Sequence, residues 1–240
     1  MEYLIIWLAI AGAAGLTVLI VRSVKRHNEA YRESMSRLGM ISVEKADASL
    51  VDKVQKIEGK AVGRVRIRRL YKREESNYTL YVGMVMKGSN NDQSETFMME
   101  GRGWRFPSMS VVPYIKKEGA LWGMLNKFVK YAGKIQGYKQ VESPIPGAFS
   151  EKYLVLAKDQ DEVRRQVPRR FWEGLMSLPE TVHLKMVDDL VIFTLYVSQF
   201  TKRPTGRLGE QHTETVRKHV DLATRLGRIF QESARERARV

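Results

Sequence analysis

Residues 65–86 read VRIRRLYKREESNYTLYVGMVM. Val65, Ile67 and Arg69 alternate with Arg64, Arg66 and Arg68, and Tyr78, Leu80, Val82, Met84 and Met86 alternate along the second run. Side chains two apart share one face of a strand, so from Ala61 onward the pattern predicts two strands. The polar KREESN segment between them is a turn, which makes the pair an antiparallel hairpin. GSNNDQSE is a further exposed turn, and Thr96 to Met99 begins a third strand. In GRGWRFP, two glycines and a proline around Trp104 and Phe106 predict an irregular crossing. A short strand at Met109 to Val112 follows, stopped by Pro113.

Toward the C-terminus the period lengthens. Leu121, Leu125, Phe128 and Val129 predict a helix over Ala120 to Tyr131, Gly133 to Gln140 is weakly patterned, and the SPIPG loop marks a subdivision near residues 143–148. Tyr153 to Leu156 reads as a short strand. Asp159 or Asp161 caps a helix whose apolar stripe is Val163, Val167, Phe171, Leu175 and Leu178. Pro168 inside it removes a hydrogen bond at about 3 kcal/mol, so a kink or two short helices are expected. Val182, Leu184 and Met186, the Asp188-Asp189 turn and LVIFTLYV form a second hairpin, whose last strand is apolar on both faces and therefore central. Val216, Val220, Ala223, Gly227 and Phe230 define a long C-terminal helix. Gly227, costing about 1 kcal/mol in a helix, is explained by close packing on the sheet. The terminal RERARV is expected to fray.

Toward the N-terminus, Asp47 caps a short helix with Leu50, Val54 and Ile57 on one stripe and Gly59 at its end. Val24, His27, Tyr31, Met35 and Leu38 predict an amphipathic helix stopped at Gly39. Before it, Tyr3 to Val21 carries no charged side chain. At about 1.5 Å per residue it spans roughly 28 Å, enough for one crossing of a bilayer. Tyr3 and Trp7 fall near the outer interface, Gly12 and Gly15 are small positions within the run, and Val21 ends it. Glu2 precedes the run while Arg22, Lys25 and Arg26 follow it, and cations beside a span stay on the cytoplasmic side. The expected organisation is a transmembrane anchor over 1–21, a juxtamembrane helical stalk over 22–60 and a cytoplasmic domain over 61–240. It places a single-pass protein in the inner (cytoplasmic) membrane, with its N-terminus outside and its body in the cytoplasm. The fold class is α+β: an anchor and stalk, then a mainly antiparallel sheet packed with helices.

The 41 Lys and Arg against 27 Asp and Glu give a net charge of +14, and 43% of residues are hydrophobic, as in a folded domain rather than a disordered tail. Without cysteine there is no disulfide, thiolate zinc site or cysteine nucleophile. His212 and His219 lie seven residues apart, too far for easy chelation by one metal. His27 and His183 read as solitary surface residues. Asp188 and Asp189 read as a solvated turn, with no third titratable group identifiable beside them. GRGWRF lacks the third glycine and the following helix of a dinucleotide site, and no GxxxxGK[ST], HExxH or GxSxG occurs. No catalytic residue, metal or cofactor follows from these residues. The strongest surface signal is Arg64, Arg66 and Arg68 on one strand face, with Lys72 and Arg73 near its end. Together with Arg22, Lys25 and Arg26 they make a basic docking face for anionic lipid headgroups or an acidic partner. Tyr71, Tyr78 and Tyr81 interleave with these cations as in single-strand nucleic-acid binders, but tethering to a bilayer ranks that reading second.

Phe106-Pro107-Ser108-Met109-Ser110-Val111-Val112-Pro113, then Phe149-Ser150-Glu151-Lys152-Tyr153-Leu154-Val155, then Asp189-Leu190-Val191-Ile192-Phe193 resemble a broad group of uncharacterised bacterial single-pass membrane-anchored proteins. The resemblance spans roughly residues 60–200 and implies an α+β cytoplasmic domain without an established activity or site residues. The function expected is a non-enzymatic accessory or scaffolding subunit, with the lipid bilayer and a membrane-protein complex as partners. The alternative is a membrane-tethered binder of nucleic acid or an acidic ligand, and a third reading is an enzyme whose site sequence does not reveal.

Overall fold

A computed structural model describes residues 22–23, 25–26, 28–88, 92–114, 137–142, 145, 147–195 and 208–238. They fall into two units, one holding residues 22–40 and 208–217, the other residues 41–195 and 218–238.

In the smaller unit, α1 (residues 28–37) ends where Gly39 takes φ 70°, a left-handed conformation that glycine adopts without steric cost. Ser34 Oγ lies 2.6 Å from Thr213 Oγ1, and Met35 beside it is fully buried. The expected stop at Gly39 is found. The expected span, with Tyr3, Trp7, Gly12, Gly15 and Val21, lies outside the described residues, as do Val24, His27 and the helix expected over Ala120 to Tyr131. Among the described residues, no helix is long and apolar enough to cross a membrane.

The larger unit is α+β. Its strands are β1 (Ile41–Val43), β2 (Val65–Glu74), β3 (Tyr78–Lys87), β4 (Asp92–Gly101), β5 (Phe106–Pro113), β6 (Lys139–Val141), β7 (Tyr153–Ala157), β8 (Val182–Asp188) and β9 (Leu190–Leu195). They form one sheet in the order β1-β2-β3-β4-β9-β8-β5-β7-β6, with antiparallel neighbours throughout. The apolar run of β9 sits at its middle, as its two apolar faces require.

Helices cover both faces. On one lies α2 (Ala48–Glu58), capped by Asp47, whose carboxylate accepts from Ser49 N. Its stripe of Leu50, Val54 and Ile57 packs on Val65, Leu70, Val85, Met98, Val187, Leu190 and Ile192. Fully burying each such side chain contributes about 1.5–3 kcal/mol. On the other face, α6 (Leu208–Arg237) brings Phe230 against Trp104 and Phe106, with ring centroids 5.0 and 5.2 Å apart. Gly227 meets the sheet as expected, because a Cβ there would stand 2.4 Å from the Tyr78 ring. Pro168 divides the expected kinked helix into α4 (Gln160–Gln166) and α5 (Arg169–Ser177). Asp159 caps the first by accepting from Asp161 N and Glu162 N. A short α3 (Ala148–Lys152) precedes β7, and its Phe149 packs edge-on against Trp172 of α5.

Several expected element bounds are corrected. The strand expected over Met109 to Val112 starts at Phe106 and includes Pro113, which pairs with Tyr153. The strand alternation does not start at Ala61, since residues Lys60–Val62 form a helical turn. The first turn is shorter than KREESN, because β2 runs to Glu74 and leaves only residues 75–77 between strands. The third strand starts at Asp92, not Thr96, since antiparallel pairing with β3 holds its polar end in the ladder. The C-terminal helix holds into RERARV rather than ending before it, and residues 239–240 lie outside the described residues. It continues through Arg237, whose guanidinium lies over the Phe106 ring and donates to Arg105 O.

Candidate basic interface

The arginines of β2 occupy the rim of the sheet. β1 pairs only with Leu70, Tyr71 and Lys72, so β2 from Val65 to Arg69 has no strand on its outer side among the described residues. Gly88 N bonds to Arg64 O, which sets the alternation: Arg64, Arg66 and Arg68 turn their backbone groups toward β3. Val65 N faces outward and is taken by Gln55 Oε1 of α2 at 2.8 Å.

The register breaks at Arg69. Arg68 stands opposite Met84 and Tyr71 opposite Val82, so Arg69 and Leu70 together face Gly83. This is a β-bulge, with Arg69 at φ 49°. A non-glycine residue in that region costs about 1–2 kcal/mol. Gly83, opposite the bulge, leaves space for the Ile67 and Leu70 side chains: a Cβ there would stand 3.1 Å from Ile67 Cγ2 and Leu70 Cδ1, and they would have to give by a few tenths of an ångström. The bulge corrects the simple alternation of Val65, Ile67 and Arg69. Leu70, not Arg69, joins the α2-facing core, at 3% exposure.

Arg64, Arg66, Arg68 and Arg69 are all exposed, and none forms an ion pair among the described residues. Arg66, Arg68 and Arg73 share the face opposite α2, whereas Lys72, paired with Tyr81, lies on the α2 side. Lys72 and Arg73 are also neutralised locally, by Glu74 at 2.7 Å and Glu75 at 2.6 Å. Arg22, Lys25 and Arg26 are exposed on helical residues of the smaller unit.

Lys53, Lys56, Lys87 and Lys185, on the α2 side of the sheet, are paired instead. Lys53 bridges Glu100 at 2.5 Å and Asp189 at 2.7 Å, Tyr81 OH donates to Glu100 at 3.1 Å, and Lys56 lies 3.4 Å from Asp188. Asp189 thus has the titratable neighbours that its sequence surroundings do not show. Burial alone would lower the Lys53 pKa, but Asp189 and Glu100 outweigh it and hold the ammonium above the ordinary lysine value. Burial, then the charge and hydrogen bond of Glu100, push Tyr81 up to about 12. Both groups keep their protons at neutral pH. What the cluster does is fasten α2 to the sheet.

At the other end of α2, Glu58 accepts from Lys87 at 2.9 Å and Lys185 at 3.1 Å. Beside Lys185, His183 is half-buried rather than a surface residue, with Nε2 3.3 Å from Ser110 Oγ. The Ser110 hydroxyl donates to Leu184 O at 3.1 Å, so its single proton is committed to that carbonyl and not offered to the imidazole. Burial, reinforced by the Lys185 charge and only partly opposed by Glu58, pushes His183 down to about 4. The unfolded chain binds this proton near pH 6.5 and the fold does not. Stability is therefore complete above about pH 6.5 and falls by about 3 kcal/mol as the pH drops toward about 4. Denaturant titrations across this range should show the slope, and His183→Gln should flatten it. His219 is buried, stacks on Phe97 at 3.9 Å and accepts from Leu195 N at 3.4 Å, a core role.

Among the described residues, no group of three or more acidic or histidine side chains is placed to hold a metal ion. Comparisons with protein-family models, with curated proteins and with solved structures find no match for this chain.

Proposed function

We propose that this chain is a non-enzymatic, single-pass membrane protein, an accessory or scaffolding subunit whose basic domain docks on a membrane assembly or its anionic leaflet. The observation that carries this reading is the contrast in charge pairing. Lys53, Lys56, Lys87 and Lys185 each have a carboxylate partner, while Arg64, Arg66, Arg68 and Arg69 have none among the described residues and follow one another along the sheet rim. Unpaired guanidinium groups retain their full capacity for bidentate bonds to phosphate or carboxylate. The uncharged run Tyr3 to Val21 with its cationic flank supports a location at the inner membrane, with the body in the cytoplasm.

Purification of the full chain in a mild detergent should bring down membrane-protein partners in fixed stoichiometry. Simultaneous charge reversal, R64E/R66E/R68E, should weaken retention of those partners by at least about tenfold, at roughly 0.5 kcal/mol for each exposed ion pair lost. Exposed substitutions of this kind leave folding stability within about 0.5 kcal/mol. Unchanged retention would remove this face from the reading. A monodisperse chain whose RNA affinity falls steeply with salt would replace the reading with nucleic-acid binding.

A further inference from the structure

We infer that the bulge at Arg69 builds a headgroup site: it leaves a fourth exposed guanidinium, without an ion pair among the described residues, next in the chain to Arg64, Arg66 and Arg68, and the four bind phosphates of the anionic leaflet. The inference rests on the membrane function proposed above and names what the rim touches there.

Continued alternation from Val65 and Ile67 would aim Arg69 at the apolar stripe of α2. The chain instead holds a strained arginine at φ 49° and supplies Leu70 to the core from the next position. Strain that persists in a non-glycine residue points to a use for that side chain. Here the result is a run of exposed cations, Arg64, Arg66, Arg68 and Arg69, beside the half-buried thioethers of Met84 and Met86. Glu95, opposite Met84 on β4, is the acidic residue that the strand register brings to this face.

The rim is poorly suited to an added peptide strand. Gln55 already takes Val65 N, β1 already covers Leu70 to Lys72, and the bulge lies between. Only the outward groups around Ile67 are left, too few for a ladder. Arg64, Arg66 and Arg68, in contrast, recur about every 6.8 Å along the strand, and Arg69 extends the row at the bulge, each able to engage a separate phosphate. Independent anions in a plane match that array better than one folded acidic protein.

The test uses the full chain in lipid nanodiscs, of phosphatidylcholine alone or with about one-third phosphatidylglycerol, and reads arginine modification by phenylglyoxal. Anionic lipid should slow modification of Arg64, Arg66 and Arg68 about fivefold at low salt, and added salt should reverse the effect. Arg69→Gly should lose most of that protection while raising Tm by about 2 °C, because glycine accepts the bulge conformation freely. A bulge that serves folding alone gives the higher Tm with protection unchanged, which overturns the inference. Equal protection by neutral lipid overturns it as well, as does protection that appears only with added RNA or an acidic protein. A chain that does not stay with the nanodisc is a distinct failure, that of the membrane function itself.

Discussion

Replacing Glu58 with methionine should destabilise the larger unit by about 3 kcal/mol, the lower end for removing one partner of a buried ion pair. The Glu58 side chain is 7% exposed, and Lys87 and Lys185 converge on its Oε2 from strands β3 and β8, with β4 and β9 between them. Burial raises the cost of ionising this carboxyl, yet Lys185 and Lys87 together hold its pKa below the usual carboxylate value. Its contribution is therefore complete above about pH 4.5 and is lost as the pH falls below that. A carboxylate in the last turn of α2 also opposes the helix dipole, which the two lysines offset. Without it, two ammonium groups face each other over an apolar floor, though both keep some access to water and the cost stays below that of a fully buried charge. Chemical denaturation gives the magnitude, and E58M/K87M/K185M should recover most of it, since an apolar replacement of the whole cluster leaves no orphaned charge. Amide exchange at Val65 should also quicken in E58M, because Gln55, which holds that amide, lies one turn earlier on the same helix.

Stability and site are linked through α2. Its apolar stripe, Lys53 and Glu58 fix it to the sheet, and Gln55 then closes the outer edge of β2 beside the arginines. A loosened α2 would free the edge for strand pairing and displace the ridge that we propose as the docking face. Charge reversal at Arg64, Arg66 and Arg68 touches none of these fastenings, so loss of docking without loss of stability separates the two roles.

The strongly periodic elements were legible from the residues alone. Leu50, Val54 and Ile57 define α2, Pro168 splits α4 from α5, and the C-terminal stripe with Gly227 defines α6, each because local spacing and burial agree. The bulge left a signal of a different kind: Arg68-Arg69 followed by Leu70-Tyr71 breaks strict alternation, and two polar then two apolar residues mark a change of phase. The start of β4 was hidden because Asp92 to Glu95 is polar, and the ladder with β3 rather than side-chain burial defines it. Lys53 with Glu100 and Asp189 could not be read at all. Their separations of 47 and 136 residues are set by strand order, on which local pattern is silent.

Gly101→Ala should cost about 3 kcal/mol or more, the upper end for overpacking a core. In GRGWRF the glycines do unequal work. Gly103 takes φ 77° and turns the chain, whereas Gly101 makes room for an aromatic ring. A Cβ at Gly101 would stand 1.8 Å from Trp104 Cδ2 and 2.1 Å from Cε2, inside the ring's own van der Waals shell. The indole has little room to withdraw, since it packs on Tyr78 at 6.0 Å, Phe106 at 6.0 Å and Phe230 at 5.0 Å between sheet and α6. Nor can the backbone shift freely, because Gly101 N donates to Asp189 O at 2.9 Å and the residue pairs with Tyr78 in the ladder. Near-UV circular dichroism and denaturant melts should register the lost packing together. Adding Trp104→Leu to Gly101→Ala should make the pair less damaging than the two separate costs combined, because the smaller side chain clears the new methyl. If Gly101→Ala alone leaves stability within about 0.5 kcal/mol, the indole does not lie over the strand, and the aromatic packing that joins β4, β5 and α6 is wrong.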